Sequence, residues 1–324
     1  MRQYNKILAV IEPRRDQQVA LQRALELAKY NPRAEIVALR LVYDFSYDIH
    51  ILNRMSEQST REDVLKTSLD QLKKMIADAA GDSKARITPR AVFTRDIGEG
   101  ILAEAEHSGC DLIIKAANHH KVLDSILFTP IDWYILRNAR VPVIIAKDHE
   151  WIGGGSIVVA VDFSFSGRRA ANVMLLREAQ EIAKITGAPI HLVNSAPVVL
   201  PAVMLEVPHY SPEIYAQSIV KEHERRLYEF ARLHGIPKEN CHIKEGMPDE
   251  VIPNACNELN AFVVFLGSAG RSGMMAALIG NTCEEVVDYI KGDLIVVNDK
   301  AMAAREGENG AGGRKETSSS EKAE

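Results

Sequence analysis

The sequence predicts an α/β protein of two tandem domains, each a doubly wound, five-stranded parallel sheet. Three observations predict it. Its short apolar runs are continuous rather than alternating, as in strands buried on both faces. Helical patterns separate these runs, which calls for crossover rather than hairpin connections. The whole order of runs then recurs at a shift of 150 to 151 residues.

In the first half, strands are expected at about 6–11, 35–42, 86–93, 111–116 and 141–146. Between the first two, Gln17 to Tyr30 carries Ala20, Leu21, Ala24, Leu25 and Ala28 on one stripe, the mark of an amphipathic helix. A second helix is expected to open at Ser59, with Glu62 three residues on as a capping box, and to run toward Asp78. The second half repeats the order. Ile157 to Val161 ends in Asp162 as Ile7 to Ile11 ends in Glu12. Phe262 to Leu266 matches Asp111 to Lys115, and Asp293 to Val297 matches Pro142 to Ala146. Its second helix is announced by Ser211-Pro212, a cap followed by proline at the first helical position. The expected organisation is therefore 1–150, a Gly-rich joint at 151–155 (Trp151-Ile152-Gly153-Gly154-Gly155), 156–300, and a disordered Gly/Ser/Glu/Lys-rich tail at 301–324.

Composition narrows the function classes. The 324 residues are 46% hydrophobic and 26% charged, an ordinary globular balance. A net charge of −5 offers no global field for phosphate backbones, so a nucleic-acid partner is not expected. Arg14-Arg15, Arg168-Arg169 and Arg225-Arg226 read as exposed helix faces. No run reaches the roughly 18 apolar residues of a membrane span, and the run after Lys6 stops at Glu12, too short for a signal sequence. Cys110, Cys241, Cys256 and Cys283 show no paired spacing. A soluble, reducing, cytoplasmic setting is the expectation.

Doubly wound sheets bind ligands beyond the carboxyl ends of their strands, where strand order reverses. In the second half, strand 1 ends at Asp162, and strand 4 runs into Gly267-Ser268-Ala269-Gly270-Arg271-Ser272-Gly273, with Gly280-Asn281-Thr282 further on. Glycines without Cβ let backbone N–H groups approach a phosphate. Thr282 is expected to begin a helix, whose free N–H groups attract anions. Ser268, Asn281 and Thr282 add donors, Arg271 a cation, and Asp162 an acceptor for a ribose hydroxyl or an exocyclic amine. The loop is not a Walker A motif, and strand 1 lacks the glycine-rich turn of a Rossmann fingerprint. Glycines that merely make tight turns are the plain alternative.

Gly267-x2-Gly270-x9-Gly280-Asn281 resembles the ATP-binding pattern of the universal stress protein family, G-x2-G-x9-G followed by Ser or Thr. The likeness covers residues 3–299 as two copies. The double-domain length, Tyr43-Asp44-Phe45-Ser46-Tyr47 and Phe128-Thr129-Pro130-x-Asp132-Trp133 point to its tandem-domain type. Asn281 stands at the Ser/Thr position, where its amide can still donate. The resemblance implies a Rossmann-like, adenine nucleotide alpha hydrolase-like fold and ATP as ligand. It places Val161 and Asp162 near adenine and ribose, along with backbone around Val193 to Ser195. It places Leu266, Gly267, Gly270, Gly280, Asn281 and Thr282 around ribose and phosphates. In a 3-2-1-4-5 order the final strand of each half, Val141 to Ala146 and Leu294 to Asn298, is expected at a sheet edge. The resemblance implies that these strands mediate dimerisation, so that the tandem chain builds that dimer internally and two chains then form a four-domain homodimer.

The first half lacks this pattern. Ala116, His119 and Thr129 match Gly267, Gly270 and Gly280, Pro130 stands opposite Asn281, and Glu12 replaces the aspartate. No ordinary ATP site is expected there. His119, His120 and Asp124 read two ways: as solvated loop residues, or as a zinc or other ligand site, although adjacent imidazoles diverge on most backbones. The functional expectation is a stress-response protein that binds ATP in its C-terminal half and supports survival under stress, including DNA damage, with protein partners the sequence does not name. The alternatives are a slow ATPase in the same crevice and an N-terminal metal or small-ligand sensor. No residue for positioning an attacking water stands out, so no catalytic group is named.

Overall fold

The structure, a computed structural model, describes residues 4–13, 15, 17–42, 54–81, 83–120, 125–149, 151, 155–163, 168–196, 211–268 and 289–304, without the side chains of 54–60, 118–120, 125–127 and 268. The chain divides into two compact units. The first is Met1–Asp148 together with Asn298–Glu324, and the second is His149–Val297.

The first unit runs β1 (Lys6–Val10), α1 (Val19–Tyr30), β2 (Glu35–Val42), α2 (Arg54–Ala80), β3 (Arg86–Phe93), α3 (Ile97–His107), β4 (Leu112–Ala116), β5 (Asn118–His120), β6 (Ser125–Leu127), α4 (Pro130–Asn138) and β7 (Val143–Ala146). Its sheet has the order β3-β2-β1-β4-β7, with parallel pairing throughout. Ile7, Leu8, Leu39, Ile113, Ile114 and Ile144 are wholly buried in it. Each such side chain removed from water contributes about 1.5–3 kcal/mol, which is why these runs carry no alternation.

The second unit runs β8 (Ser156–Ala160), α5 (Arg169–Thr186), β9 (Ile190–Ala196), α6 (Pro212–Leu233), β10 (Cys241–Glu245), α7 (Pro248–Glu258), β11 (Ala261–Ser268) and β12 (Asp293–Asn298), with a 3-10 turn at Lys238–Asn240. The strand order is β10-β9-β8-β11-β12, and β10, β9, β8 and β11 pair in parallel. Val158, Val159, Leu192, Val264, Phe265 and Ile295 form its buried centre. Both units therefore have the doubly wound 3-2-1-4-5 order, and in both the reversal falls between the first and fourth strands. That reversal positions the site.

Local chemistry accounts for the ends of the elements. Ser211 caps α6, accepting from the N–H of Ile214 with Pro212 at the first turn, as the sequence predicts. The capping box, however, sits at α4. Thr129 and Asp132 exchange hydrogen bonds there, with Pro130 in the first turn. Ser59-x-x-Glu62 is not a cap, because α2 begins five residues earlier, at Arg54. Arg54 to Gln58 are mostly straight-chain helix formers, so nothing stops the helix at Ser59. Asn118 to His120, read as loop, instead pair antiparallel with Ser125 to Leu127. Residues 301–304, expected to begin the tail, are instead helical together with 299 and 300. Ala301, Met302, Ala303 and Ala304 favour helix, and the Ala301 N–H donates to Asn298 Oδ1 at 2.8 Å. The joint is anchored at both ends. The Trp151 indole donates to buried Asp293 at 2.8 Å, and a Cβ on Gly155 would stand 2.9 Å from the Phe262 ring.

Candidate functional site

The second unit's crevice opens where β8 ends. The N–H of Val161 donates to the carbonyl of Val193 at 2.9 Å, which extends the β8–β9 ladder by one residue. Beyond it, side chains take over from the sheet. Asn194 Nδ2 donates to the Val161 carbonyl at 2.7 Å. Asn172 holds Asp162 twice, accepting from its N–H at 3.1 Å and donating to its carbonyl at 2.8 Å. Arg226 donates to the Phe163 carbonyl at 2.7 Å, and the Phe163 ring packs edge-on against Phe230. Three consecutive carbonyls are thus each gripped by a side chain. Asn172 and Asn194 are both 2% exposed.

The carboxylate of Asp162 is left facing outward. Its side chain is 49% exposed, with Arg168 Nε at 3.3 Å. Behind it, His223 Nδ1 lies 2.8 Å from Asn194 Oδ1. Burial, helped by the nearby Arg226 charge, holds the His223 imidazole below its ordinary range, against the opposing pull of Asp162 and Glu222.

On the opposite wall, β11 delivers Leu266, which is buried, and Gly267, which is exposed. A Cβ on Gly267 would stand 3.3 Å from Leu175 Cδ1. Val161, Asp162, Leu266 and Gly267 therefore lie at the carboxyl ends of β8 and β11, with Val193 beside them in the middle of β9. Gly270, Arg271, Gly280, Asn281 and Thr282 lie outside the described residues, as does the helix expected at Thr282. The described wall offers a half-exposed carboxylate, hydrogen-bonded backbone beside it, and a glycine one residue before the end of β11.

The first unit keeps one device and replaces the rest. Gln18 does for Glu12 what Asn172 does for Asp162, accepting from its N–H at 3.1 Å and donating to its carbonyl at 2.8 Å. The opposite wall differs in kind. Lys115, the counterpart of Leu266, is buried. Its ammonium lies 2.9 Å from Asp132 Oδ1 and 3.3 Å from Glu12 Oε1. Glu12 also pairs with Arg15, whose guanidinium donates to the Ala117 carbonyl at 2.6 Å. The carboxylate at the end of β1 is thereby tied into an ion cluster, and its side chain is 21% exposed.

The side chains of His119 and His120, and all of Asp124, lie outside the described residues. Among the described residues, no three His, Cys, Asp or Glu side chains are grouped to hold a metal. No described helix is long and apolar enough to cross a membrane.

Sequence reasoning missed the side chains of Asn172, Asn194, His223, Arg226, Lys115 and Asp132. A signal was present for three of them. Asn194 and Lys115 interrupt apolar strands, and Asn172 interrupts the buried stripe of α5. A polar residue at a core position requires a partner, and here the partner is the site backbone or a buried ion pair.

The sequence profile of the Universal stress protein family matches residues 3–147 and 155–298. The chain is 34% identical over 301 residues to Universal stress protein E of Photorhabdus laumondii, covering 92% of this chain and 96% of that one. It is 33% identical over 301 residues to Universal stress protein E of Escherichia coli K12, covering 92% and 95%. A functionally unknown protein from Pseudomonas aeruginosa PAO1 has a similar crystal structure, with TM-score 0.71, 24% identity, and 95% and 97% of the two chains covered. So does a universal stress protein from Archaeoglobus fulgidus, with TM-score 0.55, 19% identity, and 91% and 96% covered.

Proposed function

The chain belongs to the universal stress protein family, in tandem-domain form, and from that premise we propose that it is a stress-response protein that binds ATP in its second unit alone. One observation carries the reading. The two units share a topology and a side-chain amide that clamps the main chain of the acidic residue after strand 1, yet only the second leaves that residue's carboxylate half exposed. Asp162 would accept from the ribose hydroxyls. Backbone at Val161 and Val193 would meet the base, and Leu266 would pack beside it. Gly267, Gly270 and Gly280 would bring main-chain N–H groups to the phosphates, with Arg271, Asn281 and Thr282 adding donors.

ATP here is a ligand whose occupancy supports a surface for partner recognition. The wider role, survival under stress including DNA damage, a cytoplasmic setting and a homodimer of tandem chains belong to the same proposal. Mass spectrometry of small molecules released from the natively purified chain tests it. An adenine nucleotide is expected, and it should be absent from a Gly270→Val variant. Tight binding without turnover agrees with a binding module. Steady phosphate release abolished by the same substitution would replace it with a slow ATPase.

A further inference from the structure

Resting on that nucleotide reading, we propose that His223 is a positioning residue of the second-unit crevice. Through Asn194 it fixes the carbonyl of Val161 beside the ligand, and its imidazolium makes an anionic nucleotide bind more tightly in acid. Hydrogen-bond logic assigns the proton. Asn194 spends its amide N–H on the Val161 carbonyl, 2.7 Å away, so the atom facing His223 is its carbonyl oxygen, which only accepts. His223 Nδ1 therefore carries hydrogen, and the neutral ring has its lone pair on Nε2. A second proton goes to Nε2, so protonation adds charge without breaking the relay.

Helix α6 places that charge well. His223 acts on the carbonyl before Asp162, and Arg226, one turn on, holds the carbonyl after it. The charged groups facing the ring are Glu222 and Arg226 from α6 and Asp162 from the end of β8. In the free protein, burial and Arg226 favour the neutral ring against the opposing pull of both carboxylates. A polyanion arriving beside Asp162 shifts this balance toward the imidazolium. By reciprocity, protonation then favours the polyanion.

The repeat supplies an independent argument. The Ile11 N–H donates to the Leu39 carbonyl as that of Val161 donates to Val193, so Arg40 stands where Asn194 does. A guanidinium has donors only and cannot accept from a histidine. The Gln18 and Asn172 clamp is common to both units, whereas the relay is built only beside the open crevice.

The test is ATP titration by calorimetry on the full chain at about pH 8 and pH 5.5, for the native protein, His223→Asn and His223→Leu. The Asn amide stands near the Nδ1 position and does not titrate. At pH 8, His223→Asn is expected to bind within about twofold of native, and His223→Leu about tenfold more weakly, the loss of one well-placed hydrogen bond. Taking the native-to-Asn affinity ratio cancels the titration of ATP itself. That ratio is expected to rise at least about threefold on acidification, the direction required by linkage. A folded His223→Leu that binds like native, or a flat ratio, overturns the proposal and leaves the nucleotide reading standing. If His223→Leu does not fold, the native-to-Asn ratio decides alone. Absence of ATP binding by the native chain at both pH values overturns both.

Discussion

Replacing Lys115 by Met should expose the energetic logic of the first unit's ion cluster. The Lys115 ammonium lies 2.9 Å from Asp132 Oδ1, 3.3 Å from Glu12 Oε1 and 3.1 Å from the Ala116 carbonyl. Asp132 is 1% exposed. Methionine keeps most of the buried alkyl stem and removes the charge. Removing one partner of a buried pair costs about 3–5 kcal/mol, because the remaining charge is left uncompensated. Two features place this case at the lower end. Asp132 Oδ2 keeps its bonds from the Thr129 N–H and hydroxyl, both at 2.7 Å, and Glu12 keeps Arg15 and some access to water.

A loss of about 3 kcal/mol in the first unit is therefore expected. Adding Asp132→Asn should recover at least half of it. No charge is then stranded, and the Asn oxygen still accepts from Thr129. A chain of two units need not unfold in one step, so hydrogen exchange in peptides covering β4 and α4 is the suitable assay. A single variant costing less than about 1 kcal/mol, or a double variant less stable than the single, would refute the reasoning.

Two further outcomes follow from the second unit. Burial holds the imidazoles of His191, His223, His234 and His242 below their ordinary value, with His242 adding to the effect on His191. The folded unit therefore binds fewer protons than the unfolded chain, and its stability is full above the unfolded value of about 6.5 and declines as pH falls below it. Urea unfolding of the second unit between pH 7.5 and 5 should show that decline, and stability that rose with acid would contradict it. At Gly292, a Cβ would stand 2.6 Å from the Ala261 carbonyl oxygen and 2.7 Å from Phe262 backbone. Gly292→Ala should lower the melting temperature of the second unit, at a cost of about 1–3 kcal/mol of forced backbone shift, and an unchanged melting curve would refute that crowding.

The fold was legible because continuous apolar strands and their exact order are written twice. The start of α2 was not, because Ser59-x-x-Glu62 has the letters of a cap and only the preceding turn decides whether a helix already runs through it. The site divided in the same way. Asp162 and Gly267 could be read from strand ends, since topology dictates where such ends gather. Asn172, Asn194 and His223 could not be grouped, because their meeting depends on α5, β9 and α6 packing around one strand terminus. Lys115 was visible as a charge in an apolar strand, but its partners Glu12 and Asp132 lie 103 and 17 residues away in sequence.

The most direct measurement is the stoichiometry of ATP binding to the full chain by calorimetry. One nucleotide per chain is expected, with the heat lost in Gly270→Val and retained in Lys115→Met. Two nucleotides per chain would contradict binding in the second unit alone, and no heat at all would contradict binding there.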